Sequence, residues 1–297
     1  MERRKFIKTA CVAAAAISLP ACLRTKQAKE KLPSFGLITG TIETWLRSNP
    51  REALQELARL GYTELEFSGN LGLEMNPKEL KGYLKSLGLI PLIGDTSIYS
   101  IVNNEAEFNS DISECLALGQ KYITCYWPWL DDGKNKKLDD WKRAAENLNK
   151  GGEICQKNGL QLLFHNHDQE FYPVEGQIPM NVLIQNLDPS VGIELDLYWA
   201  AKSGQSVEEF VQKYPGRFPV YHVKDMPAHV VRGTFVEHSK IAANDFACVG
   251  SGNLDFASLF KLNKTAGVKH FIVEHDRPEN PRECVTTSAR FLSALRF

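Results

Sequence analysis

Apolar residues recur along this chain in two alternating rhythms. Short runs dense in Leu, Ile, Val, Phe and Tyr predict buried strands at 35–39, 63–67, 89–94, 121–126, 160–166, 191–197, 218–224 and 270–274. Between them lie longer stretches in which apolar residues return near helical spacing, as Leu54, Leu57, Ala58 and Leu60 do. Asn49-Pro50 and Asn76-Pro77 open helices that Gly61 and Gly88 end, and Ser206 is placed to cap a helix running to 214. Further helices are predicted at 105–118, 138–157, 179–185, 256–266 and 281–295. Eight strand–helix units in about 260 residues predict an α/β fold, a (β/α)₈ or TIM barrel, as a single domain over 32–297. An open doubly wound sheet is the alternative. It is disfavoured because no G-x-G-x-x-G or G-x-x-x-x-G-K-[ST] stretch follows a strand, and Gly250-Ser251-Gly252 lacks both the lysine and the spacing. The connection 225–253 breaks the rhythm, and at that length it is expected to serve as a lid or substrate wall.

The predicted strands end in chemistry. Leu160-Gln161-Leu162-Leu163 runs into Phe164-His165-Asn166-His167-Asp168-Gln169-Glu170, and later strands end in Glu194-Leu195-Asp196, His222-Val223-Lys224-Asp225 and Glu274-His275-Asp276. A parallel barrel gathers the carboxyl ends of its strands at one mouth, so Asp196, His222 and Glu274 are expected to converge there. Imidazole and carboxylate together suit a divalent metal ion such as Mn, Zn, Fe, Co or Mg, with positions left open for a substrate. Each residue alone has a plainer reading, His222 as a satisfied core histidine and Glu194 or Asp196 as solvated mouth residues; the conjunction favours the metal.

Composition adds limits more than leads. The 297 residues are 43% hydrophobic and 24% charged with a net charge of -1, which gives no basic face for a nucleic acid. The first residues read as an export signal: a basic start, the Ala-rich run 9–19 and then Pro20-Ala21-Cys22. Arg3-Arg4-Lys5-Phe6-Ile7-Lys8 resembles a twin-arginine signal, and Leu19-Pro20-Ala21-Cys22 resembles a lipobox, which would lipidate Cys22 and attach the protein to a membrane. Residues 1–31 are therefore set apart as signal and polar tether, and the expected location is the periplasm or a membrane-anchored lipoprotein of a bacterium. A frayed cytoplasmic helix is the competing reading. Of seven cysteines, Cys115, Cys125, Cys155, Cys248 and Cys284 lie beyond the signal; an odd count without a C-x-x-C pair predicts small core residues rather than a disulfide framework.

Gly61-Tyr62-Thr63-Glu64-Leu65-Glu66, the E-L-D of strand six, H-V-K-D of strand seven, Val249-Gly250-Ser251-Gly252-Asn253-Leu254-Asp255-Phe256 and Val273-Glu274-His275-Asp276 resemble the sugar phosphate isomerase/epimerase superfamily of xylose-isomerase-like barrels. That superfamily also includes inosose dehydratases and endonuclease IV-type AP endonucleases. The resemblance implies one divalent metal held by residues at the ends of strands five to eight, with Asp196, His222 and Glu274 matching the last three. Strand five departs, because the position of the family's glutamate falls on His165. His165 replaces it, or Glu170 reaches back from the loop. Alternation puts His167 on the same side as His165, facing the cavity, and turns Asn166 away.

The resemblance implies an isomerase, epimerase or dehydratase that removes a proton beside a metal-bound carbonyl of a keto-sugar, cyclitol or oxidised glycoside. Histidine on strand five disfavours a symmetrical two-glutamate scheme. His167, Glu170 and Glu274 are the expected catalytic groups; Lys224, Glu66, Trp127 and Trp199 are expected to bind substrate. For Lys224 a salt bridge to Asp225 is the alternative, and for the aromatics, rim packing. His229 and His238 are expected to be solvated. A sugar-binding barrel without catalysis, or a nuclease, would be the other functions of such a fold, and an oligomer is compatible with all of them.

Overall fold

Glycine and asparagine punctuation, with apolar runs between, yields eight parallel strands in a computed structural model that describes residues 30–67 and 71–297. The strands are β1 (Gly36–Ile38), β2 (Glu64–Glu66), β3 (Ile90–Thr96), β4 (Tyr122–Cys125), β5 (Gln161–His165), β6 (Val191–Asp196), β7 (Val220–Val223) and β8 (His270–Val273). They close in chain order into one barrel, β8 pairing with β1 through Gly36↔Ile272 and Leu37↔Val273. The predicted fold class holds.

Helix boundaries follow their caps. Asn76 accepts from the Glu79 N–H while Glu79 returns to the Asn76 N–H, starting Pro77–Ser86. Gly61 ends Pro50–Leu60 in a left-handed conformation (φ 93°), where its N–H meets the Ala58 and Leu57 carbonyls. Ser206 caps Val207–Lys213 as expected. The predicted helix 256–266 is instead two pieces, Phe256–Phe260 and Asn263–Ala266. Three short helices went unforeseen: Glu43–Ser48, Ile98–Asn103 and Leu197–Lys202.

Two apolar regions hold the barrel. A large one lies between the strands and the surrounding helices, and a small one, including Ile38, Leu163, Val220 and Ile272, fills the interior. Glu30 is fastened to the end of the barrel, its backbone pairing with Phe297 in both directions (2.8 and 3.0 Å). The signal region, with Cys11 and Cys22, lies outside the described residues.

The long connection is a wall built from short turns, with 3₁₀ segments at His238–Lys240 and Ala243–Asp245. Asp225 staples its ends together. Its Oδ2 accepts from the N–H groups of Gly250 and Gly252 (both 2.9 Å), and its Oδ1 from Met226 (2.8 Å) and Leu254 (3.2 Å). Glycine is required at 252, where a Cβ would lie 2.3 Å from Asp225 Oδ1. A disulfide, Cys248–Cys284, ties this wall to helix Pro281–Ala294. That corrects the reading of the cysteines: Cys115, Cys125 and Cys155 are buried thiols, but the other two are paired.

Candidate metal and substrate site

Strand alternation aims His165, Asp196, His222 and Glu274 into the barrel mouth, and one ligand atom from each comes within 4.8 Å of the others. Local structure prepares these atoms. Asp196 caps helix Leu197–Lys202 by accepting the Trp199 N–H on Oδ1 (2.7 Å), which leaves Oδ2 for the site. Asn166, turned away as expected, accepts the Asp196 N–H (2.9 Å) and locks β5 to β6. His165 Nδ1 and Asp196 Oδ2 are buried without a hydrogen-bond partner among the described residues. Their nearest charged neighbours are Glu194 Oε2 at 3.7 Å and Lys224 Nζ at 3.2 Å.

Beneath this set lies a second polar layer. Glu66 takes the Tyr126 hydroxyl on Oε1 and sits 2.8 Å from His222 Nε2, which is also 3.3 Å from Glu194. The other ring nitrogen, His222 Nδ1, is 2.8 Å from Glu274. Lys224 is buried and bound to three carboxylates, Asp276 (2.6 Å), Glu274 (2.9 Å) and Asp196 (3.2 Å), with the Trp199 ring 4.9 Å away. The expected alternative, a bridge to Asp225, is absent because Asp225 is committed to its four N–H groups.

Burial and charge set the protonation states. Burial pushes Glu194 and Asp196 upward, with Glu66 adding to the first and Lys224 opposing the second. Burial also opposes charge on Glu274, but Lys224 and His222 outweigh it and hold the carboxyl low. His167 falls to about 3 through burial, with Lys224 and His238 contributing, and burial together with His222 and His167 lowers His165. Both histidines are therefore neutral imidazoles at neutral pH, the form that ligates metal or accepts a proton. Among the described residues, five carboxylates (Glu66, Glu194, Asp196, Glu274, Asp276) crowd around Lys224 and His222, with His238 a further 3.6 Å neighbour of Asp276. Crowded buried carboxylates, a His165 Nδ1 without a hydrogen-bond partner among the described residues and a mixed imidazole–carboxylate set fit a divalent cation.

The remaining predicted residues divide. His167 is at the centre of the mouth, its ring against Trp127 (5.9 Å between centroids), Trp199 (5.6 Å) and His165 (5.1 Å), with Nδ1 free of any hydrogen-bond partner among the described residues. Trp127 and His167 line a cavity of about 690 Å³. Trp199 is buried behind His167 and Glu66 lies below the donor set, so neither is on the wall of that cavity. Glu170 does not join the donors: its carboxylate accepts the His167 N–H (2.7 Å) and Gln169 Nε2 (3.0 Å), and so positions the His167 turn. Sequence reasoning missed His238. It is half-exposed as foreseen, yet its ring lies 5.7 Å from His167 and its Nε2 3.6 Å from Asp276.

Residues 54–295 match the family described as Xylose isomerase-like TIM barrel. The chain belongs to that family. An inosose dehydratase of Clostridium botulinum is 24% identical over 237 residues, covering 71% of this chain and 76% of that protein. A crystal structure of a sugar phosphate isomerase/epimerase from Parabacteroides distasonis superposes with a TM-score of 0.72 at 23% identity, covering 92% of this chain and 97% of that one. The IolI protein, solved with a zinc atom bound, superposes with a TM-score of 0.69 at 18% identity over 86% of this chain and 95% of its own. These two structural likenesses establish the fold.

Proposed function

We propose that this barrel is a divalent-metal-dependent isomerase, epimerase or dehydratase of a keto-sugar or cyclitol. The convergence of His165, Asp196, His222 and Glu274 beside the neutral His167 carries the reading. His165, Asp196, His222 and Glu274 would hold the ion, whose chemistry there is that of a Lewis acid polarising a carbonyl. His167, a neutral imidazole that lines the cavity, takes the proton from the carbon next to that carbonyl. Glu170 fixes the turn that aims it. Lys224 stays fully protonated among three carboxylates and lends positive charge where an oxyanion develops. Among the described residues, His167 is the one neutral imidazole that the loop after β5 brings to the cavity, which favours a one-sided reaction such as dehydration, as the name of the inosose dehydratase relative suggests.

The cysteine pairing supports export, since disulfides persist in oxidising compartments. The export signal and Cys22 anchor remain part of this proposal. Exposure to keto-sugars and inososes in D₂O, followed by NMR, tests the chemistry. Deuterium should enter beside the carbonyl with wild type and not with His167→Ala; exchange that survives the substitution would remove His167 from the mechanism.

A further inference from the structure

The cavity beside the metal donors does not include them. It meets the reacting centre at His167 and extends outward between three mouth loops, those after β4, β5 and β7. Its 690 Å³ is roughly the space of twenty waters at liquid density, in the range that holds drug-sized ligands. A single ring with its carbonyl at the donor set would leave this volume largely unfilled. The far wall is also built for a ligand: Tyr172 and Phe235 meet edge to face with centroids 5.4 Å apart, opposite loops that carry Trp127. Phe235 is 53% exposed and lines the cavity beside Tyr172, leaving aromatic surface open to a ligand.

We propose that this groove is a second-ring subsite, and that the substrate is an oxidised disaccharide or longer glycoside whose outer sugar lies here. The inference rests on the proposed keto-sugar chemistry for what occupies the inner position. A pyranose presents apolar C–H faces and a rim of hydroxyls. Trp127, Tyr172 and Phe235 offer aromatic surface to the faces, while Asp132, Gln169 and Glu237, which line the same cavity, offer acceptors and an amide to the rim. An aromatic aglycone would call for apolar walls throughout, and an access channel needs no paired aromatic rings.

Isothermal titration with glucose, cellobiose, maltose and phenyl β-glucoside reads the groove without requiring turnover. At least one of the two disaccharides should bind at least tenfold tighter than glucose and tighter than phenyl glucoside. Phe235→Ala, at an exposed position where folding is little affected, and separately Glu237→Ala, should each erase most of that advantage. The proposal is overturned if neither disaccharide exceeds glucose, if phenyl glucoside binds as tightly as they do, or if the advantage survives both substitutions. Absence of deuterium exchange on keto-sugars would tell against the reaction alone, because these unoxidised sugars report on the groove by themselves.

Discussion

Replacing Glu170 by Gln should change how stability depends on pH more than it changes the fold. The carboxyl is fully buried, and burial raises it from 4.5 to about 7 against the opposing hydrogen bonds from the His167 N–H and Gln169. The folded protein therefore holds this proton more tightly than the unfolded chain. Its favourable contribution is complete below pH 4.5 and is lost as pH rises through about 7. The difference of about 2.5 units between those two values corresponds to about 3 kcal/mol. Glutamine keeps one oxygen for the His167 N–H but turns an amide toward Gln169, which costs about 1 kcal/mol unless that side chain flips. The variant should thus be slightly less stable than wild type at pH 4.5 and about 2 kcal/mol more stable at pH 8. Urea unfolding of both proteins across that range, with the disulfide oxidised, gives the difference curve, in which other titrating groups cancel. A flat difference between pH 4.5 and 8 would show that the folded carboxyl titrates where the unfolded one does, and refute the argument.

Removing the disulfide with Cys284→Ser should lower stability by up to about 4 kcal/mol on the chain-entropy account of a closed loop this long, its ends 36 residues apart; urea midpoints with and without reductant check it. Asp225→Ala strands four backbone N–H groups and should cost at least about 3 kcal/mol, with protease cuts appearing first inside 225–253. Stripping divalent metal and restoring zinc at a hundredfold excess over its dissociation constant should raise stability by about 2.7 kcal/mol. Asp196→Asn, which keeps the oxygen that caps Trp199, should abolish that gain and lower the metal content measured by mass spectrometry.

The barrel was legible because its signals are local and redundant. Each strand is an apolar run, and each helix has a periodic face and a cap that can be read within a few residues, as at Asn76 to Glu79. Leu197–Lys202 escaped because Leu-Tyr-Trp-Ala-Ala continues the apolar run of β6; what turns it into a helix is the Asp196 carboxylate, already singled out as a ligand. The Cys248–Cys284 pair joins a loop to the last helix across the tertiary fold, and no spacing rule marks such a pair. His238 belongs to the irregular wall, where period carries no information about direction. Glu194 and Glu66 are different. Strand alternation places Glu194 on the same face as Asp196, and Glu66 on the same face as Glu64, so the second layer was available to the sequence.

That second layer explains why the site tolerates so much buried charge. Apolar side chains such as Leu163, Val220 and Ile272 close the barrel interior, and water cannot solvate carboxylates held above them. Glu66, Glu194 and Glu274 instead share His222, and Asp196, Glu274 and Asp276 share Lys224. Holding five acids around two basic groups costs desolvation, which pushes Glu194 and Asp196 upward, so folding alone gains little from it. A sequence selected only for stability would replace these residues with more of the Leu and Val below them. Gathered at one mouth from the ends of β2, β6, β7 and β8, they form an arrangement that a dication would offset and that His167 would turn into chemistry under the proposed function.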